Sequence, residues 1–120
     1  MSKLNILNEL SMLSNMIFID SKSFPDYEKY GLRSHLLRAI ISVRLNIREG
    51  NVFGNKNKKR FFMIAKGSLE EAQECLCIAN EWKYIDDITL DTLMNQYWKC
   101  NNMLNKLIQS ICSNTQKQGK

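Results

Sequence analysis

Few side chains in this 120-residue chain are of the types that carry catalysis, and their spacing does not assemble an active site. The single histidine, His35, has no nucleophile and orienting group beside it in the pattern that covalent catalysis needs. No Glu-x-x-His pair of the kind that builds di-iron sites in helical bundles occurs. Gly50 and Gly54 lack the Gly-Lys-Ser/Thr ending of a phosphate-binding loop. We therefore expect no catalytic residue, no metal site, no cofactor and no enzymatic activity.

The four cysteines, Cys75, Cys77, Cys100 and Cys112, have the wrong spacing for a zinc or disulfide framework. Cys75 and Cys77 are two residues apart, which places them on different faces of a helix, and no Cys-x-x-Cys motif is present. Free, mostly buried thiols in a reducing cytoplasm fit this pattern best.

The basic residues are the most informative chemical feature of the sequence. Six basic residues and one acid, Glu49, lie between Arg44 and Arg60, so these seventeen residues carry the +5 charge of the whole chain. Phe53, in the turn between them, could stack on a base. The predicted nucleic-acid-binding residues are Arg33, Arg44, Arg48, Lys56, Lys58, Lys59 and Arg60.

Two other interpretations of these cations stay open at this point. They could form a solvated helix end that keeps the protein soluble, or they could contact an acidic protein partner. Lysine and arginine at the start of a helix oppose its dipole, however. No structural feature predicted from the sequence offsets this unfavourable interaction. We therefore favour a functional surface that binds RNA or DNA without sequence specificity.

Hydrophobic spacing predicts four helical segments. The first covers Lys3–Ser21 and ends before Pro25, and the second covers Gly31–Glu49, with Gly50 as its C′ residue and a turn over Asn51–Asn57. The third covers Lys58–Trp82, where Gly67-Ser68 predicts a close helix crossing or a kink. The fourth begins at Thr89 as an N-cap, with Asp91 in its first turn.

Short connections between these segments predict an all-α fold, an antiparallel up-down-up-down four-helix bundle over residues 1–112 with a frayed polar tail over 113–120. No apolar stretch is long enough to cross a membrane, and no signal peptide is expected, so a cytoplasmic location is predicted. The second segment carries an extra apolar row, Leu37, Ile41 and Leu45, beside its core stripe. This wide apolar arc predicts an interface with another copy of the chain.

Two groups of residues resemble a known bacterial family. The first group is Phe24-Pro25, Glu28, Tyr30-Gly31-Leu32, Leu36, Arg38-Ala39, Ser42-Val43, Asn46-Ile47 and Glu49-Gly50. The second is Ile64-Ala65, Gly67-Ser68-Leu69 and Glu71. In order and spacing these resemble the four-helix-bundle proteins named for 23S rRNA intervening sequences.

This resemblance implies a homopentamer of four-helix protomers. It also implies kinship with the accessory variability proteins of diversity-generating retroelements, which are basic pentamers that bind a reverse transcriptase and nucleic acid. The chain departs from the family pattern at His35, Leu37, Arg48 and Lys58, whereas Arg38 keeps a basic residue where the family has one. The changes at Arg48 and Lys58 add charge near the basic cluster.

Two functions are carried forward. The first is a non-catalytic, oligomeric accessory protein that binds nucleic acid through the basic residues, with a reverse transcriptase as a potential partner. The second is a protein-interaction scaffold that uses the apolar arc of the second segment and the outer face of the fourth, with Met94 and Trp98.

Overall fold

The computed structural model describes the backbone of residues 2–52 and 55–118 and the side chains of residues 6–52 and 57–112. Within those ranges the chain forms four helices and no strand: α1 (Ser2–Asp20), α2 (Leu32–Val52), α3 (Asn55–Glu81) and α4 (Asp87–Gln118). Two short 3-10 turns, Ser21–Ser23 and Asp26–Glu28, connect α1 to α2. The predicted all-α fold with four helices is confirmed. None of the described helices is long and apolar enough to cross a membrane.

The core consists of the apolar stripes that the sequence spacing predicts. Three-four spacing places one side chain per turn on the same face of a helix, so each stripe is buried as a unit. The fully buried large side chains come from all four helices: Ile6, Leu10, Leu13, Ile17, Leu36, Ile40, Ile47, Phe62, Leu69, Leu76, Leu93 and Tyr97. Leu32, Leu90 and Leu107 lie at the edge of this core and are only half-buried.

Polar contacts join the helices outside the core. Ser42 Oγ on α2 lies 2.8 Å from Ser68 Oγ on α3. Lys66 Nζ on α3 donates to Asn105 Oδ1 on α4 at 2.8 Å. Gln96 on α4 donates from Nε2 to the backbone oxygen of Glu9 on α1 at 2.9 Å. These contacts tie the helices into a four-helix bundle of about 54 × 25 × 22 Å.

The predicted boundary between the second and third helices is wrong. The helix α2 does not end at Glu49 but continues to Val52, and α3 begins at Asn55, inside the predicted turn. Gly50 has no positive φ and is buried within the helix. A Cβ atom at Gly50 would lie 2.5 Å from Cε1 of Phe62, so this glycine serves a close helix contact and not a helix end. Phe53 lies outside the described residues.

The start of the fourth helix is also earlier than predicted. The carboxylate of Asp86 accepts the Thr89 N–H at 2.8 Å, so Asp86 caps the helix and Thr89 does not. Asp87, and not Asp91, is therefore the acidic residue in the first turn. At the other end the α4 backbone is helical to Gln118, which covers most of the segment predicted to be a frayed tail. The side chains from 113 onward lie outside the described residues.

The expectation of a close crossing at Gly67-Ser68 is wrong for the glycine, and the alternative of a kink stays a prediction. The α3 helix runs through this position, and a Cβ atom at Gly67 would meet nothing within 4 Å. The contact at this level comes from Ser68 through its bond to Ser42. Asn46, one turn further along α2, donates from Nδ2 to the Ser42 backbone oxygen at 2.8 Å.

Candidate nucleic-acid-binding surface

The exposed cations at the α2–α3 turn form the centre of the candidate surface. Arg48 on α2 and Lys59 and Arg60 on α3 are exposed, and Lys58 is half-buried. The first turn of α3 contains no acidic residue, the residue type that would compensate the positive end of the helix dipole. Among the described residues none of these four cations forms an ion pair. We call this set, Arg48 with Lys58–Arg60, the basic turn.

The packing of Gly50 against Phe62 holds the two halves of the basic turn together. Gly50 comes two residues after exposed Arg48 on α2, and Phe62 comes two residues after exposed Arg60 on α3. Because the glycine has no side chain, the Phe62 ring reaches the α2 backbone and brings the end of one helix against the start of the next. The cations are thus carried by rigid helix ends and not by a long loop.

The three successive cations on α3 point in different directions. Consecutive residues of an α-helix are rotated by about 100° from one another, so Lys58, Lys59 and Arg60 spread around the helix. This arrangement suits a polyanion that passes over the end of the bundle better than a flat contact along one face. Lys56 belongs to the same helix start, but its side chain lies outside the described residues.

Arg44 is tied to α1 by a hydrogen bond. Its Nη1 donates to Ser14 Oγ at 2.9 Å, and Ser14 is buried. The side chain is therefore oriented across the α1–α2 groove, and it lies about one helical turn from Arg48 along α2. The structure brings Arg44 to the edge of the basic turn. One of its guanidinium nitrogens, Nη1, is already engaged in the hydrogen bond to Ser14.

Arg33 lies at the opposite end of α2. It is the second residue of that helix, about 22 Å along the axis from Arg48. Its Nε donates to Ser21 Oγ at 2.9 Å and its Nη2 to the Phe18 backbone oxygen at 3.2 Å. Its guanidinium also lies 5.2 Å from the centre of the Phe18 ring. The structure places Arg33 in a contact that joins α1 to α2 and does not bring it to the basic turn.

The apolar row predicted as an oligomer interface has a mixed environment in the protomer. Leu37 packs partly against the core, whereas Ile41 and Leu45 are 50% and 60% exposed. Together with Leu7 of α1, Ile41 and Leu45 line a groove of about 380 Å³ whose rim carries Arg44 and Arg48. The apolar row and the basic turn are thus neighbours on one side of α2.

A second cluster, at the other end of the bundle, was not predicted from the sequence. Glu28 Oε1 accepts the Leu32 N–H at 2.9 Å and caps α2, and Glu28 Oε2 accepts a hydrogen bond from Tyr84 at 2.7 Å. These bonds lower the pKa of Glu28, because both favour the ionised carboxylate. The bond that Tyr84 makes with Tyr27 and the one that it donates to Glu28 raise the pKa of Tyr84. The only signal in the sequence was the unusual number of aromatic residues near these helix ends.

The buried thiols are chemically quiet. Burial raises the pKa of Cys100 to about 12, and burial with the nearby charges of Glu71 and Glu74 raises the pKa of Cys75. All four cysteines are free, as predicted. A thiol with a raised pKa holds little nucleophilic thiolate near neutral pH.

Comparison with known families identifies the chain. Residues 2–106 match the family described as 23S rRNA-intervening sequence protein. The chain belongs to this family. The match covers all four helices up to Lys106, and the resemblance of the sequence to this family is thereby confirmed.

A solved structure has the same fold as this family member. It is a protein of unknown function from the S23 ribosomal protein family of Bacteroides thetaiotaomicron, which aligns with a TM-score of 0.78 over 86% of this chain and 97% of that chain. The sequence identity is 18%, so the similarity concerns the fold alone. A comparison with curated protein sequences finds no match.

Proposed function

We propose that this member of the intervening-sequence family is a non-catalytic accessory protein that binds nucleic acid through its basic turn. The observation that carries the proposal is the exposed, uncompensated set of cations at the start of α3. Lys59 and Arg60 are exposed, the first turn of α3 before them holds no acidic residue, and no described carboxylate pairs with them. A phosphate backbone supplies the missing negative charge, because phosphates pair with lysine and arginine whatever the base sequence.

The protomer in this proposal is an antiparallel up-down-up-down bundle. Contacts between α2 and α3 support this arrangement: Gly50 faces Phe62, Ser42 meets Ser68, and His35 lies 3.4 Å from Glu71. In these contacts the residue numbers decrease along α2 while they increase along α3, as antiparallel helices require. The basic turn then lies at one end of the bundle, and the Glu28–Tyr84 cluster lies at the other.

Assembly into a homo-oligomer is the second part of the proposal. Ile41 and Leu45 leave apolar surface exposed beside Arg44 and Arg48, and a second copy packed there removes it from water. The resemblance of the sequence points to a pentamer, and it extends the proposal to a reverse transcriptase as a partner. Several basic turns on one assembly multiply a weak site by avidity.

A binding titration with structured RNA and duplex DNA tests the nucleic-acid part. Reversing Arg48, Lys59 and Arg60 to glutamate should remove most of the affinity measured at low salt. The matched control reverses Lys22, Lys29 and Lys99, which are equally exposed but lie away from the basic turn. Equal losses in the two triple variants would mean that only net charge matters, and absence of binding by the unchanged protein would refute the proposal.

Light scattering tests the assembly part. Ile41→Glu with Leu45→Glu should convert the oligomer to a monomer without unfolding it, because both side chains are exposed in the protomer. Met12→Glu with Ile88→Glu makes the same chemical change at exposed apolar positions elsewhere and should leave the assembly intact. An unchanged protein that is monomeric at micromolar concentration would contradict this part.

An interaction scaffold without a nucleic-acid role is the alternative function. Trp98 on α4 is 47% exposed, with its ring edge-on to buried Tyr97 at 5.0 Å. Exposed tryptophans of this kind are common anchors at protein interfaces. A protein partner that stays bound after nuclease treatment and at high salt, and is lost with Trp98→Ala, would favour the scaffold.

A further inference from the structure

A groove between the first half of α2 and the second half of α3 has no part in the function proposed above. Its volume is about 610 Å³. Leu32, Cys75 and Ile78 give it an apolar floor, and Tyr30 and Trp82 stand beside it. Trp82 is 56% exposed, although tryptophan side chains in folded proteins are usually buried for the most part. A smaller groove that reaches Ser42 and Ser68 along the same two helices shares the lining residues His35, Arg38 and Glu71 with it.

The charge of this groove is opposite to that of the molecule. The chain as a whole carries +5, but three carboxylates, Glu28, Glu71 and Glu74, line the groove against one arginine, Arg38. Among the described residues Glu74 has no ion pair, and Glu71 has only His35, at 3.4 Å. A nucleic acid would meet these carboxylates with its phosphates, so the groove repels the ligand that the basic turn attracts.

The aromatic side of the groove is held in place within the protomer. The Trp82 ring lies edge-on to Tyr84 with 5.9 Å between ring centres. Tyr84 is fixed in turn by the hydrogen bond that it donates to Glu28 at 2.7 Å. A partner therefore meets a pre-formed wall, which lowers the entropy that binding costs.

We propose that this groove binds a basic amphipathic segment of a protein partner. Apolar side chains of the segment lie on Leu32 and Ile78, and its lysine or arginine side chains pair with Glu71 and Glu74 and stack on Trp82. The groove follows α2 from Gly31 to Ser42, about 16 Å, which matches roughly three turns of a helical segment.

A second copy of this chain is a poorer occupant. Its own concentration of cations is the basic turn, at the other end of the bundle. In an assembly whose symmetry axis runs parallel to the helices, all protomers point in the same direction. The groove of one copy then faces the groove ends of its neighbours, and their basic turns lie at the opposite end of the assembly. The acidic groove and the basic turn therefore act independently, and each can fail without the other.

The experiment uses the full chain and a fluorescent synthetic peptide of about 14 residues, three to four helical turns, built from leucine and arginine. Fluorescence anisotropy should show salt-sensitive binding, and a peptide with glutamate in place of arginine should not bind. Glu71→Lys with Glu74→Lys should weaken binding at least tenfold, and Trp82→Ala should weaken it as well. The matched control is Glu70→Lys with Glu81→Lys, the same charge change at exposed positions of α3 that do not line the groove.

Three outcomes would overturn the proposal. The first is equal weakening by the two double variants, which would mean general attraction to an acidic surface. The second is equal binding of the two peptides. The third is loss of self-association in the Glu71→Lys, Glu74→Lys variant, which would make the groove a contact between copies. A variant with Lys58→Glu and Lys59→Glu should keep its peptide affinity while losing nucleic-acid affinity, so failure of either proposal is distinguishable from failure of the other.

Discussion

At the scale of single residues, two glycines on consecutive helices have opposite surroundings. Gly50 is buried against the Phe62 ring, where a Cβ atom would lie 2.5 Å from Cε1. Gly67 is exposed, and a Cβ atom there would meet nothing within 4 Å. In both helices a glycine costs about 1 kcal/mol relative to alanine. Only at Gly50 does the structure of the protomer require that cost.

Alanine at these two positions should therefore shift stability in opposite directions. Gly50→Ala overlaps a phenylalanine that is fully packed and should lower the free energy of unfolding by about 1–3 kcal/mol. Gly67→Ala should raise it by about 0.5–1 kcal/mol. Urea unfolding measures both, and each variant is the control for the other. A Gly50→Ala protein as stable as the unchanged chain would contradict the packing described here.

Glu28 gives stability a dependence on pH. Its pKa is lowered from an ordinary value of 4.5, first by the Leu32 N–H and then by the Tyr84 hydroxyl. The stability that the ionised side chain contributes is complete above the pKa of the unfolded chain and is lost as the pH falls through the lower folded value. The loss therefore lies below about pH 5.

Glu28→Gln tests this dependence. The variant should show a shallower fall of the unfolding free energy between pH 5 and pH 3, because glutamine does not titrate. The slope should not vanish, since the pKa of Asp86, which caps α4, is lowered as well by its hydrogen bonds with Thr89. Parallel curves for the two proteins, measured by urea unfolding across this range, would show that Glu28 makes no such contribution.

At the scale of elements, the helix ends follow from contacts as much as from sequence. The α3 helix ends in a Schellman motif: Tyr84 N donates to Ala79 O at 2.7 Å and Lys83 N donates to Asn80 O at 3.0 Å. The motif places Lys83 at a φ of 65°, a conformation that glycine adopts more easily than other residues. The Trp82 and Tyr84 rings on either side owe their directions to this turn.

Lys83→Gly should stabilise the protein by up to about 1 kcal/mol, because it removes the strain of a left-handed lysine. Lys83 is exposed, so little packing is lost. Thermal unfolding measures the change, and Lys83→Ala serves as a control that removes the charge and keeps the Cβ atom. If alanine stabilised as much as glycine, the gain would come from charge and not from backbone conformation.

The sequence predicts an element well where the element depends on residues close together in the chain, and poorly where it depends on contacts between distant residues. The stripes of α1 and α3 repeat every three or four residues, and that spacing alone identifies their buried faces. The end of α2 could not be predicted in this way, because Gly50 has the same identity as a helix-ending glycine. What keeps it helical is Phe62, twelve residues further on, and only the packed structure brings the two together.

The candidate site divides in the same way. Runs of charge such as Lys58–Arg60 are visible in the sequence, but the partners of Arg33 and Arg44 are not. Arg44 donates a hydrogen bond to Ser14 on α1, and Arg33 donates one to Ser21 in the 3-10 turn that follows α1. The acidic groove was missed because Glu28 precedes α2, whereas Glu71 and Trp82 belong to α3 and its end, and the two sides meet only when α2 packs against α3.

At the scale of the whole molecule, charge is segregated along a bundle about 54 Å long. The basic turn occupies one end, and the acidic groove with its exposed Trp82 lies towards the other. The two proposals therefore assign ligands of opposite charge to opposite ends of the bundle, and on this account nucleic acid and a basic protein segment do not compete. An oligomer with aligned protomers would present the two functions on opposite faces.

The salt dependence of nucleic-acid binding tests the central claim most directly. Contacts from Arg48 and Lys58–Arg60 to phosphates release counterions, and log K on duplex DNA should fall with log [KCl] with a slope of about −4 per protomer. Lys59→Gln should reduce the magnitude of that slope by about 1. A slope near zero, or the same slope in the Lys59→Gln protein, would contradict the account.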